Sequence, residues 1–218
     1  FINASSSTVF GFKKELNVTE DLELEPISLY GKLKAKFEKN VKEFNSENFS
    51  TVSLRPGTIC GISFRQRFDV LVNILTINAL INSKITIHGG NQFRTNIHID
   101  DMVDIYKIIL DAPDNLISGE EFNVSFENYS VIETAKIIKS IIGDNVALNV
   151  DENIFDKRSY RIDSSKFISR FNYRPKKTIK DAITEIKKAY DQGMFRDGIS
   201  NNSYYDVRTL NEKLKSNI

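Results

Sequence analysis

Two short stretches decide the reading of this chain: Phe1-Ile-Asn-Ala-Ser-Ser-Ser-Thr-Val-Phe-Gly11 and Tyr30-Gly-Lys-Leu-Lys34. A helix over residues 29–44 puts Tyr30 and Lys34 at i and i+4, so both side chains leave one face. An ammonium beside a phenol favours the phenolate, which lets the tyrosine trade protons with a hydroxyl near neutral pH. Upstream, apolar residues followed by three serines and Gly11 read as a strand ending in a polar turn, which sets a hydroxyl near the pair. Ser, Tyr and Lys together suit removal of a proton from an alcohol while a hydride leaves the same carbon.

Outward from this pair the chain alternates strand and helix. Residues 1–9 read as a strand, and Leu33, Phe37, Val41 and Phe44 recur at helical spacing behind Tyr30. Residues 51–55 alternate as a strand stopped by Pro56-Gly57. Strand, helix, strand is the rhythm of a parallel sheet, whose ligands gather at the carboxyl ends of the strands, where Ser6 and the 56–61 turn lie. Residues 64–82 read as one apolar helix opening with Arg65 and Arg67. Positive charge there opposes the helix dipole unless an anion lies nearby, which makes both arginines candidate phosphate contacts. Further strands are expected at 84–88, 94–99, 122–125 and 147–150. Helices are expected over 102–112 (capped by Asp100 or Asp101), 131–142 (capped by Ser130, stopped by Gly143), 164–171 and 178–192. From Gly193 onward the pattern weakens, and a polar surface arm is expected.

Ser-Ser-Ser-Thr-Val-Phe-Gly, an acidic segment from Glu20 to Pro26, then Ser-Leu-Tyr-Gly-Lys-Leu-Lys resembles the extended short-chain dehydrogenase/reductase family, in particular its nucleotide-sugar epimerases and dehydratases. The resemblance covers nearly the whole chain. It implies an α/β fold: the C-terminal part of a Rossmann-type parallel sheet over residues 1–62, then a smaller α+β substrate-binding domain over 63–218, with elements near 100–125 returning to the sheet. None of the ten glycines forms the phosphate turn of that family's first half, so the chain reads as the C-terminal portion of a longer enzyme.

The family's catalytic hydroxyl lies four residues before the aromatic of its Val-aromatic-Gly turn, which here is Ser6. By the same resemblance Tyr30 is the general base and acid, Lys34 also holds the nicotinamide ribose, and Pro56 is a cofactor contact. The cofactor implied is NAD or NADP, with NAD favoured. The substrate implied is a sugar nucleotide, whose diphosphate calls for forked cationic donors. Arg94 matches the arginine before the family's Ile-His-Val-x-Asp segment, and Arg158 lies in its second nucleotide-contact region, where Arg161 competes. Thr58 stands where many epimerases carry a substrate-contacting Asn. Phe10 and Leu33 depart from the usual Tyr and Ser or Thr. Ser7-Thr8 occupies the position of the dehydratases' Asp-Glu pair, so epimerisation is expected rather than loss of water. The alternatives are a 4-ketosugar reductase and a non-catalytic remnant or binding module. A homodimer through a helix pair that includes the Tyr30 helix is also implied.

Composition sets outer bounds. At 218 residues and 40% hydrophobic, the chain can bury a real core. A formal net charge of +1 makes no case for nucleic acid or an anionic membrane as partner. A single cysteine, Cys60, fits a reducing compartment, and no apolar run is long enough to span a bilayer, so a cytoplasmic protein is expected. His88 and His98 lack metal-ligand spacing and read as structural, with no metal site expected.

Overall fold

The computed structural model describes residues 1–151 and 158–216. In chain order the strands are Ile2–Ala4 (β1), Val52–Pro56 (β2), Thr58–Cys60 (β3), Lys84–His88 (β4), Phe93–His98 (β5), Glu120–Val124 (β6), Glu127–Ser130 (β7) and Ala147–Asp151 (β8). The helices are Leu29–Glu43 (α1), Leu71–Asn82 (α2), Ile99–Asp111 (α3), Asp114–Ile117 (α4), Val131–Ile142 (α5), Ser165–Phe171 (α6), Ile179–Asp191 (α7) and Asp206–Ser216 (α8).

β1, β2 and β6 form a parallel sheet in that order, with Ile2 opposite Val52 and Leu54 opposite Phe122. Every residue of the central strand β2 is buried, as expected for a parallel strand covered on both faces. Val52, Leu54, Phe122 and Val124 pack with Met102, Ile105 and Ile109 of α3 and with Phe167 of α6. Each such side chain contributes about 1.5–3 kcal/mol by leaving water. A second core joins Val72 and Leu75 of α2, Ile85 and Ile87 of β4, Ile138 of α5 and Ile183 of α7. Here β3 and β5 run parallel, β7 is antiparallel to β5, and β4 pairs parallel with β8. Ser130 with Glu133 and Thr178 with Asp181 close capping boxes on α5 and α7.

Four expectations are corrected. The first strand ends at Ala4, and Ser7–Phe10 is a 3-10 turn, because the Ser6 side chain caps that turn instead of continuing the ladder. The helix expected over 64–82 begins only at Leu71. Val70 is extended, Phe68 is drawn fully into the core, and the Asn73 side chain holds the Arg67 carbonyl at 2.9 Å. α3 is capped by His98, not by Asp100 or Asp101: its Nδ1 accepts from the Asp100 amide at 3.1 Å, and the helix starts at Ile99. The region after Gly193 is not a polar arm. Phe195, Tyr204 and Tyr205 pack with Phe68, Ile77 and Ile186, and α8 follows.

The buried face of α1 is also unlike its apolar pattern. Gly31, Glu38 and Val41 turn inward, while Leu33, Phe37 and Phe44 are exposed.

Candidate active site

The site begins where β1 stops. Ser6 Oγ accepts from the Thr8 amide at 3.2 Å and from Thr8 Oγ1 at 3.0 Å. With those two bonds on its lone pairs, its own proton is directed away from the turn. Gly11 closes the turn at φ 68°, where a Cβ would lie 2.0 Å from the Glu25 carbonyl oxygen. The neighbouring Ser7 hydroxyl donates to the Tyr160 hydroxyl at 3.4 Å.

α1 is seated directly on this turn. Ser28 caps it through the Gly31 amide at 3.1 Å, and a Cβ on Gly31 would meet the Thr8 carbonyl oxygen at 2.8 Å. Lys34 Nζ crosses back to donate to the Ala4 carbonyl at 2.6 Å and stands 5.6 Å from the centre of the Tyr30 ring. The Ser6 turn and the Tyr30/Lys34 turn therefore meet at the carboxyl end of β1, the edge where parallel sheets bind ligands. Gly31→Ala is expected to push α1 off the turn at a cost of about 1–3 kcal/mol, read as a lowered urea midpoint.

The hydroxyl of Ser5, buried at the same edge, has no hydrogen-bond partner. Ser5 directly follows Ala4, whose carbonyl holds the Lys34 ammonium, and an unsatisfied polar group at this edge is compatible with the polar end of a nicotinamide cofactor. Pro56 ends β2 on this edge, and Thr58 opens β3 opposite Asn96, half-buried.

The second set of predicted residues gathers at the start of β5. Arg94 donates to the carbonyl oxygens of Phe93 and Arg158, and the Arg161 guanidinium stacks 4.6 Å from the Phe93 ring centre. The Phe93 amide donates to Ser159 Oγ, and Phe12 bridges Ser159, so the arginine segment is laced to the loop that follows the Ser6 turn. Tyr160 completes the link through Ser7. Asp156 and Lys157, which precede Arg158 in that basic segment, lie outside the described residues.

Arg65 and Arg67 fare differently. They lie in the irregular segment before α2, so no helix N-terminus explains their charge. Arg65 pairs with Asp206 at 2.7 Å, and Arg67 pairs with Asp69 at 2.9 Å and Asp206 at 3.1 Å. Burial raises the Asp69 pKa, but the Arg67 hydrogen bond, the Asp206 amide and the Arg67 charge outweigh it and hold the carboxyl below its ordinary value. A depressed carboxyl stabilises the fold above the unfolded pKa and loses that contribution as pH falls through the folded value. Acidification below about pH 4 is thus expected to loosen α8 from this segment. Tyrosine fluorescence, in a chain without tryptophan, reports the change, and Asp69→Ala should remove that acid dependence.

Sequence reasoning missed the Thr8 contacts, the role of Asp101, and a buried Arg55–Glu38 pair. The signals were slight: an arginine inside a buried strand, and a glutamate one turn beyond Lys34. Among the described residues, one cluster has metal-ligand types: His98, Asp100 and Glu185. The Lys177 ammonium bridges Asp100 and Glu185 at 2.6 Å each, and so already supplies the cation between them. His98 Nδ1 is the acceptor, so Nε2 carries the proton toward Glu185 at 3.2 Å.

A parallel α/β sheet with a Ser turn and a Tyr/Lys helix at its carboxyl edge defines a Rossmann-type scaffold of the short-chain dehydrogenase/reductase class. Residues 1–125 match the NAD dependent epimerase/dehydratase family, and the chain belongs to that family. It is similar to the UDP-glucose 4-epimerase of Lactobacillus helveticus, at 24% identity over 85% of this chain and 62% of that protein. It is also similar to the UDP-glucuronic acid 4-epimerase of Bacillus cereus, solved with UDP-glucuronic acid and NAD. Identity there is 29% and the TM-score 0.75, over 87% of this chain and 62% of that one. The dTDP-glucose 4,6-dehydratase of Bacillus anthracis, solved with NAD, shares the fold at 20% identity and TM-score 0.74, over 95% of this chain and 64% of that one. The chain thus spans less than two thirds of the length of these relatives.

Among the described residues, no helix is long and apolar enough to cross a membrane.

Proposed function

We propose that this chain carries the catalytic and substrate-binding part of an NAD-dependent nucleotide-sugar epimerase acting in the cytoplasm. The single observation that carries the reading is the Ser6 turn docked on the Tyr30/Lys34 helix, with Thr8 committed to Ser6 and no carboxylate at positions 7 and 8. Tyr30 removes the proton from a sugar hydroxyl, and Ser6 donates a hydrogen bond to the same oxygen as it becomes a carbonyl. Lys34 ties α1 to the end of β1 and keeps the Tyr30 ring over that edge. A nicotinamide cofactor, when bound at this edge beside Lys34 and Pro56, would supply the hydride-accepting and hydride-donating chemistry. Tyr30 then gives its proton back, so no net redox change remains.

Loss of water needs an acid for the departing hydroxyl. Ser7 is engaged with Tyr160 and Thr8 with Ser6, which argues against dehydration. Arg94 and the Arg158 segment are proposed as the diphosphate contacts, with Thr58 beside the sugar. Arg65 and Arg67 are proposed as further phosphate contacts, which would draw them from the pairs they make with Asp206 and Asp69. The exposed stripe of Leu33, Phe37 and Phe44 supports a homodimer formed through α1. The domain division at residue 62 belongs to the same proposal.

The test is to incubate the complete protein with NAD and either UDP-glucose or UDP-glucuronic acid and to follow the C4 epimers by NMR. Interconversion without net formation of reduced cofactor supports the epimerase. Net consumption of reduced cofactor with a 4-ketosugar nucleotide identifies a reductase instead, and binding without turnover identifies a binding module.

A further inference from the structure

We infer that Arg55 is a positioning residue that keys the Ser6 turn to the Tyr30 helix. This rests on the proposed active site, to which Arg55 contributes no atom. It lies near the carboxyl end of β2, and its side chain and that of Glu38 are only 5% and 3% exposed. Its Nε donates to Glu38 Oε1 at 3.0 Å and its Nη2 to Glu38 Oε2 at 2.8 Å, a forked pair in which both carboxylate oxygens are used. Glu38 stands one turn beyond Lys34 on α1, so this fork fixes the rotation of the helix that carries Tyr30 and Lys34.

The same guanidinium makes two more contacts. Its face lies 5.2 Å from the centre of the Phe10 ring, and Phe10 is the fully buried last residue of the 3-10 turn that Ser6 caps. Its Nη1 donates to the Glu20 carbonyl at 3.1 Å, in the loop joining the turn to α1. Glu20 Oε1 in turn accepts from the Asn123 amide at 2.8 Å, which anchors that loop to β6. One buried cation from the central strand therefore touches the serine turn, the connecting loop and the tyrosine helix. An apolar residue of similar size could fill the space, but it could not hold three elements in register. Catalysis that depends on Ser6 and Tyr30 reaching the same oxygen is sensitive to that register.

The experiment compares the complete wild-type protein with Arg55→Met and with Arg55→Met/Glu38→Met. The single variant should lose thermal stability, because Glu38 is left buried and unpaired. The double variant should regain it, because an apolar pair needs no partner. In the folded double variant, amide exchange at Thr8, Gly11 and Lys32 is expected to rise about tenfold, with Gly143, whose amide caps α5 on the Lys139 carbonyl, unchanged. Its kcat should fall about tenfold or more at steady KM. Wild-type exchange at Thr8 and Gly11, or full kcat, in a stable double variant would overturn the inference. Should the double variant fail to fold, Arg55→Lys keeps the charge but loses the fork, and the same exchange criterion applies to it. If the wild type turns over no sugar nucleotide, the epimerase reading fails, and the exchange result still decides the role of Arg55.

Discussion

Tyr30→Phe is expected to lower kcat for sugar-nucleotide epimerisation by about 10²- to 10⁴-fold, the range removed with a positioned general base. The change deletes one oxygen and leaves the ring that Lys34 faces at 5.6 Å. Tyr30 is 53% exposed, so no buried donor or acceptor is orphaned, and stability should stay within about 0.5 kcal/mol of wild type. KM should move little, because the arginine cluster proposed to hold the diphosphate is untouched. A large loss of kcat at constant KM and constant melting temperature is the signature of a group acting in the transition state. Survival of wild-type turnover would remove Tyr30, and with it the proton-transfer scheme, from the proposal.

The largest stability effect expected from one substitution is at Asp101. This side chain is 1% exposed, and its carboxylate accepts from the Tyr173 hydroxyl at 2.5 Å and from the amides of Lys176 at 2.8 Å and Lys177 at 3.0 Å. It fastens the segment leading into α7 to the first turn of α3. The Tyr173 hydroxyl is pushed well above its ordinary pKa by burial and by the Asp101 hydrogen bond and charge, so it stays protonated and remains a donor across the working pH range. Asp101→Ala strands three donors at once. Each unsatisfied buried group costs about 1–3 kcal/mol, so a loss of about 4 kcal/mol is expected from urea unfolding, with relaxation and water entry absorbing part of the sum. The three contacts share one acceptor, so Tyr173→Phe on top of Asp101→Ala should cost less than it does alone. Full additivity of the two changes would show that the carboxylate does not bind the tyrosine.

The sequence by itself determined the strand–helix–strand order, the extents of most elements and the shared face of Tyr30 and Lys34. Those features rest on short-range chemistry: periodicity, capping residues such as Ser130 and Thr178, and an i, i+4 spacing that any helix realises. Three serines and a glycine were legible as a turn for the same reason.

Only the tertiary structure decided what the charged residues do. Arg65 and Arg67 read as the head of a helix until Asp206, more than a hundred residues later, came to lie against them. The outward turn of the apolar stripe on α1 was likewise decided by Glu38, which points in to meet Arg55 from the next strand. The aromatic residues after Gly193 form a core because Phe68 and α7 present them with an apolar surface. Short-range pattern cannot report these outcomes, since an ion pair or a buried ring depends on groups brought together by the sheet and not on neighbours in the chain.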